Sequence, residues 1–294
     1  MKNNLLGTGV ALVTPFGKNK AIDYPALGRL VEYVIAGGVD YLVVLGTTAE
    51  NTTLSCSEKE ELTSFIREQN AGRLPLVLGV GGNNTEEVVR QLGQSDLEGI
   101  VAVLSVTPYY NKPSQEGIYQ HYKAVAEASP KPVILYNVPG RTGVNMTAET
   151  TLRLAHDMEN IVAIKEASGS LSQASYILRD KPDDFLVISG DDNMTLPLIA
   201  LGGDGVISVA ANAFPEQMGR MVQLCLSGDF AAASGIQLRL LECVELLFCE
   251  GSPVGVKAAL ALKGLIQNEL RLPLVACSDR LRGELDRLCK KYHL

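Results

Sequence analysis

The chain has 294 residues, 46% of them apolar, and a formal net charge of −7. Such a length supports one large domain, an acidic surface disfavours nucleic acid and anionic lipid as partners, and no apolar run reaches the roughly 18 residues of a membrane span. The cysteines Cys56, Cys225, Cys243, Cys249, Cys277 and Cys289 form no C-x-x-C pair and no signal peptide precedes the first apolar run, so they read as reduced thiols of a cytoplasmic protein.

Taken in order, eight apolar runs alternate with amphipathic segments. The runs are 9–15, 41–47, 74–80, 100–108, 132–139, 161–168, 185–192 and 205–212. They carry Val, Ile and Leu on both parities, as strands covered on both faces do. Helices are expected at Tyr24–Ala36, Ser57–Glu68, Thr85–Gln94, Ser114–Ala128, Thr147–His156, Ser170–Leu178 and Asn193–Ala200, with caps at Asp23, Ser57, Thr85, Ser114 and Thr147. Eight strand–helix units of even spacing predict a (β/α)8 TIM barrel over 1–215. An open doubly wound sheet is the rival, but no G-x-G-x-x-G follows the first run. From 216 the alternation stops, and 216–226, 229–248, 253–267 and 278–291 read as a C-terminal helical region, 216–294.

Barrel enzymes place their chemistry at the carboxyl ends of the strands. Those ends here read GTTAE (Gly46–Glu50), TPYYNKPS (Thr107–Ser114), YNVPGRTG (Tyr136–Gly143), KEASG (Lys165–Gly169), SGDD (Ser189–Asp192) and AAN (Ala210–Asn212). Lys165 ends the apolar run IVAIK, and strand period places it on a face with Ile161 and Ala163. Two readings follow. A desolvated amine loses its proton readily and can form an imine with a carbonyl; or the lysine pairs with a carboxylate such as Glu166 or Asp191. Tyr136, on the adjacent strand, is either a proton carrier or a core tyrosine. The Thr47-Thr48 turn offers amide N–H groups and hydroxyls to a carboxylate, or simply caps a turn. Arg141 is a bidentate grip for a carboxylate, or a surface arginine. The glycine-rich turn Gly202–Gly205 precedes its strand and so lies at the face opposite a phosphate site. No metal site is expected: His121, His156 and His293 stand far apart with no ligand spacing. An imine on Lys165 would supply an electron sink without one.

Together, GTTAE, TPYYNKPSQEG, LYNVPGRTG, IKEASG, SGDD and GVISVAAN, in this order, resemble the 4-hydroxy-tetrahydrodipicolinate (dihydrodipicolinate) synthase family over essentially the whole chain. The resemblance implies a barrel enzyme, a lyase condensing pyruvate with L-aspartate 4-semialdehyde in lysine and diaminopimelate biosynthesis. It implies no cofactor beyond the covalent lysine imine, and a homotetramer built as a dimer of dimers. It assigns the imine to Lys165 and proton transfer to Tyr136, with Thr47 and Tyr110 completing a relay, Tyr110 coming from a neighbouring subunit. Thr48 would hold the pyruvate carboxylate, Gly190 and Ile207 would line the pocket, and Arg141 would meet the semialdehyde. Asn51, Thr52, Asn83, Glu87 and Tyr109 correspond to a lysine effector site, with Cys56 and Lys59 in place of family histidines. The related N-acetylneuraminate lyases and 2-keto-3-deoxy sugar acid aldolases share the lysine and tyrosine; GRTG with Arg141 after TPYY favours the synthase. A non-catalytic oxo-acid-binding paralogue is a further alternative, but pure binding needs no proton relay. Two departures from the family pattern are Ala49 where glycine is usual, expected to strain the turn if φ there is positive, and the looser EGSPVGVKAAL segment from Glu250.

Overall fold

Eight parallel strands close into a barrel in chain order, with β8 returning to β1. They are β1 (Gly7–Ala11), β2 (Tyr41–Val44), β3 (Leu76–Gly79), β4 (Ile100–Val106), β5 (Val133–Asn137), β6 (Ile161–Glu166), β7 (Leu186–Ser189) and β8 (Gly205–Ser208). The computed structural model describes residues 4–292; His293 lies outside the described residues.

The barrel holds two apolar layers. Inside are Ala11, Val43, Val77, Ala102, Leu104, Ile134, Tyr136, Ala163, Ile188 and Ile207. Outside, residues of opposite parity such as Val10, Leu42, Val44, Val103, Leu135, Ile164 and Val187 meet the helices. Burial on both faces explains why the runs are apolar throughout.

The first strand starts earlier than the apolar run, at Gly7. There the Gly7 N–H donates to the Asp204 carbonyl at 3.0 Å. A Cβ on Gly205 would lie 2.0 Å from the Gly7 carbonyl oxygen, so β1 and β8 meet through glycines that an apolar pattern does not register. This contact puts the Gly202–Gly205 turn at the amino ends of the strands.

Around the barrel run α1 (Tyr24–Ala36), α2 (Cys56–Asn70), α3 (Thr85–Gln94), α4 (Gln115–Ala128), α5 (Pro139–Thr142), α6 (Ala148–Asp157), α7 (Leu171–Asp180) and α8 (Thr195–Ala200). Asp23, Ser114 and Thr147 cap as expected. Two caps differ. Ser55 caps α2 through a reciprocal box with Glu58, so the helix opens before Ser57. Asn84, not Thr85, caps α3. The loop after β5 contains α5, a single turn opened by Pro139 and ended by Gly143 at φ +73°.

The C-terminal region comprises α9 (Pro215–Leu226), α10 (Phe230–Phe248), α11 (Val254–Leu262) and α12 (Asp279–Tyr292). The expected helix 253–267 stops at Leu262, after which the chain turns through Gly264 at φ +72°. A Cβ on Gly255 would lie 2.6 Å from the Leu247 backbone, so α11 lies directly on α10. Among the described residues no helix is long and apolar enough to cross a membrane.

Candidate active site

Lys165, next to last in β6, points inward, and its residue is only 5% exposed. Strict alternation would put Ile161 on the same face. Instead the register slips between Val133 and Ile134, which pair with Ile161 and Ala163. The extra residue on β6 turns Ile161 into the outer layer, while Ala163 and Lys165 face in.

Burial pulls the Lys165 amine down from its ordinary value to about 7. The Asp192 carboxylate opposes that pull, and the Arg141 guanidinium adds to it. Neither carboxylate named as a pairing partner takes that role. Glu166, of opposite parity, accepts from the Ser168 N–H at 2.6 Å, Gln173 at 2.9 Å and Asn137 at 3.2 Å. Asp191 caps the next turn through the Asn193 N–H at 3.0 Å.

Tyr136 on β5 is the register partner of Lys165, and the amine lies 4.2 Å from the centroid of its ring. Burial pushes the phenol up, while Arg141 and a hydrogen bond with Thr47 pull it back. Two further contacts shape the pocket. A Cβ on Gly190 would lie 3.0 Å from Lys165 Cγ and 2.7 Å from the Ala167 Cβ, so only glycine leaves the lysine its path. Ile207 of β8 is buried in the same inner layer as Tyr136.

Thr47, exposed at the rim, and Thr48, buried, lie in a 3-10 turn spanning Thr47–Ala49. The left-handed positions around it are Leu45 at φ +56° and Glu50 at φ +54°; Ala49 is not one of them. The expected strain at the alanine therefore does not arise. Its carbonyl accepts the Thr14 hydroxyl at 2.7 Å. Arg141 sits in α5, exposed, with Nη2 3.5 Å from the Ser252 carbonyl. Its charge reaches both Lys165 and Tyr136, which sets it apart from an ordinary surface arginine.

Tyr110 does not join its own chain's site. It is 88% exposed, with φ +74°. Of the effector candidates, Asn83 and Tyr109 meet, Asn83 Nδ2 donating to the Tyr109 carbonyl at 3.3 Å. Asn51 donates to the Leu45 carbonyl at 2.7 Å, and Glu87 is held by Arg90 at 2.7 Å and Gln91 at 2.9 Å. Thr52 is exposed.

Sequence reasoning gave Asp192 no role. Its buried carboxylate accepts the Ser208 hydroxyl at 2.5 Å and the Ala210 and Val209 N–H groups at 3.0 and 3.2 Å. The SGDD ending was the available signal, but it does not tell which aspartate turns inward. Lys257 was also missed, although it too is a lysine in an apolar run, VGVKAALAL.

His121 is buried, with Nδ1 2.9 Å from the Thr85 hydroxyl, and His156 Nε2 lies 3.0 Å from the Asp180 carbonyl. Among the described residues no three His, Cys, Asp or Glu side chains are grouped to hold a metal ion.

The arrangement is thus a desolvated amine over a phenol, a hydroxyl on that phenol and a guanidinium at the mouth. The model of the dihydrodipicolinate synthetase family matches residues 4–292. The chain is 58% identical over 275 residues to the 4-hydroxy-tetrahydrodipicolinate synthase of Phocaeicola vulgatus, covering 94% of this chain and 93% of that one. It is 57% identical over 272 residues to the synthase of Parabacteroides distasonis, covering 92% of each. Among solved structures, the pyruvate complex of dihydrodipicolinate synthase from Acinetobacter baumannii superposes with a TM-score of 0.95 at 40% identity, covering 98% of this chain and 99% of that one. The chain belongs to the dihydrodipicolinate synthetase family.

Proposed function

We propose that this chain condenses pyruvate with L-aspartate 4-semialdehyde, as a 4-hydroxy-tetrahydrodipicolinate synthase, through an imine on Lys165. One observation carries the reading: the Lys165 amine is buried against the Tyr136 ring, pulled down to about 7, and among the described residues no carboxylate is clamped on it. Near neutral pH a substantial share of such an amine is uncharged and nucleophilic.

The neutral amine attacks the keto carbon of pyruvate, and water leaves. The protonated imine draws electrons from the methyl group, which gives up a proton to the relay at Tyr136. The enamine carbon then attacks the aldehyde carbon of the second substrate, whose oxygen takes a proton back. The amino group of that substrate displaces Lys165, closing the ring and freeing the amine. The imine is the electron sink, so the reading calls for no resident cofactor.

Thr47 orients the phenolic proton, and Thr48 with the neighbouring turn receives the pyruvate carboxylate. Gly190 and Ile207 shape the pocket around the keto acid. Arg141 meets the carboxylate of the semialdehyde at the mouth, which an acidic protein with anionic substrates requires.

Tyr110 completes the relay from a second copy. Its exposure and its left-handed backbone support a side chain that projects away from its own barrel. The working unit is then at least a dimer, and we place it in a dimer of dimers. Six free thiols support a cytoplasmic setting. Asn51, Thr52, Asn83, Glu87 and Tyr109 are proposed as a lysine effector site, which inhibition by L-lysine and its loss in Glu87→Ala would test.

Borohydride reduction in the presence of pyruvate, followed by peptide mass mapping, tests the central claim. An adduct on Lys165 is expected; an unmodified Lys165 overturns the mechanism. Mixing two inactive variants, Lys165→Ala and Tyr110→Phe, tests the shared site. The mixed dimer regains one complete site, so activity should return on mixing, and no recovery would rule out the contribution in trans.

A further inference from the structure

The turn that carries Thr47 is anchored from the C-terminal region. Glu50, the last residue of GTTAE, sits at φ +54°, a conformation costly for a residue with a side chain. Its N–H donates to the Thr47 carbonyl at 3.1 Å, and its carbonyl accepts the Thr53 N–H at 3.0 Å. Glu50 therefore bonds straight back to the turn, and its side chain is 1% exposed.

One carboxylate oxygen of Glu50 takes an ion pair from Lys257 of α11, whose side chain is wholly buried. The other accepts the Arg271 N–H at 3.0 Å. Lys257 also donates to the Glu269 carbonyl at 2.9 Å and lies 4.2 Å from the centroid of the Phe16 ring. Phe16 follows the end of β1. The end of β1, the threonine turn and α11 thus meet at one buried ion pair.

A buried ion pair is a poor way to gain stability, because both charges lose their water and an apolar contact would hold the pieces as well. What the pair adds is direction. A carboxylate with both oxygens occupied fixes one orientation of Glu50, and through the Glu50 backbone the placement of Thr47.

We infer that Glu50 and Lys257 are positioning residues for the reaction, through which the C-terminal helical region holds the Thr47 hydroxyl on Tyr136. The inference rests on the reading that Thr47 and Tyr136 carry the proton. It assigns the C-terminal region a part in proton transfer.

The test uses the full chain with Lys257→Met, Glu50→Gln and Thr47→Val, alone and combined. The measurements are the borohydride-trapped adduct, exchange of pyruvate methyl protons with deuterated water, and steady-state kcat and KM. Lys257→Met should keep the adduct and slow both methyl exchange and kcat by about 10- to 100-fold, as expected for a displaced catalytic group. KM for pyruvate should hold within about threefold. In a Thr47→Val background the same change should cost less than about threefold, since the group it positions is gone. Should Lys257→Met fail to fold, Glu50→Gln takes its place; it keeps the side-chain volume and the acceptor for the Arg271 N–H. The inference is overturned if exchange stays within about twofold of the parent in the folded variant, or if the full loss recurs in the Thr47→Val background. An absent adduct in the parent protein would instead bring down the imine reading, and this role with it.

Discussion

Tyr136 and Lys165 are register partners on β5 and β6, and the lysine nitrogen stands 4.2 Å from the centre of the tyrosine ring. Parallel strands present paired residues side by side on one face. The ring takes the place of water over the amine, and its hydroxyl lies on the side of Thr47. One pairing thus supplies both the low affinity of Lys165 for its proton and the group that can move one.

Removing the hydroxyl while keeping the ring separates those two roles. Tyr136→Phe should lower kcat by about 10²–10⁴-fold, the usual worth of a positioned proton carrier. The Lys165–pyruvate adduct should still form, because the ring still shields the amine. Trapping with borohydride beside steady-state kinetics checks both parts; an unchanged kcat would remove Tyr136 from the proton path.

The pH dependence follows from the lowered Lys165. With the amine at about 7, acid protonates it, and adduct formation should fall away below neutral pH. An unperturbed lysine would place the midpoint near 10, according to its reference value. Arg141 acts on the amine in the same sense as burial, so Arg141→Met should raise the midpoint. The initial rate of trapping with pyruvate alone, measured from pH 5 to pH 9, gives both values. A midpoint unchanged in the variant would show that the guanidinium does not act on the amine.

Gly190 leaves room for one lysine path. Gly190→Ala puts a methyl group 2.7 Å from the Ala167 Cβ and 3.1 Å from Lys165 Cε. Overpacking of this kind costs about 1–3 kcal/mol. The variant should fold with a lowered Tm and form the pyruvate adduct more slowly, because the amine is pushed off its position. Normal trapping kinetics would show that Lys165 adjusts without loss.

Acid stability should depend on Arg271 and Glu58, whose guanidinium and carboxylate meet at 2.5 Å. The Arg271 hydrogen bond holds Glu58 down at about 2, against a weaker upward pull from burial. The unfolded chain then binds the proton first as pH falls, so the stabilisation is complete above pH 4.5 and is lost towards pH 2. The pair is partly exposed, and Glu58→Gln should cost about 1 kcal/mol near neutral pH. The difference between parent and variant should be smaller at pH 3 than at pH 6 and vanish towards pH 2; denaturant melts at pH 6 and pH 3 give the comparison, and an equal difference at both would refute the linkage.

The runs around β2 to β8 determined the barrel, because a strand covered on both faces must be apolar on both parities. The rim segments GTTAE, YNVPGRTG and KEASG named Thr47, Tyr136, Arg141 and Lys165, since strand ends in a barrel converge on one face. Other features depend on contacts between distant parts of the chain. Ile161 and Lys165 fall on different faces because β6 carries an extra residue against β5, a matter of pairing that one strand's pattern cannot show. Asp192, rather than its neighbour Asp191, faces inward because Ser208 and the amides after β8 receive it. Lys257 and Glu50 meet only because α11 folds back over the β2 turn. Apolar periodicity, a local property of the chain, determined the architecture, and the polar strand ends named the candidate reactive groups. Packing across the barrel decided which charges are dry, which are paired and in which direction each points.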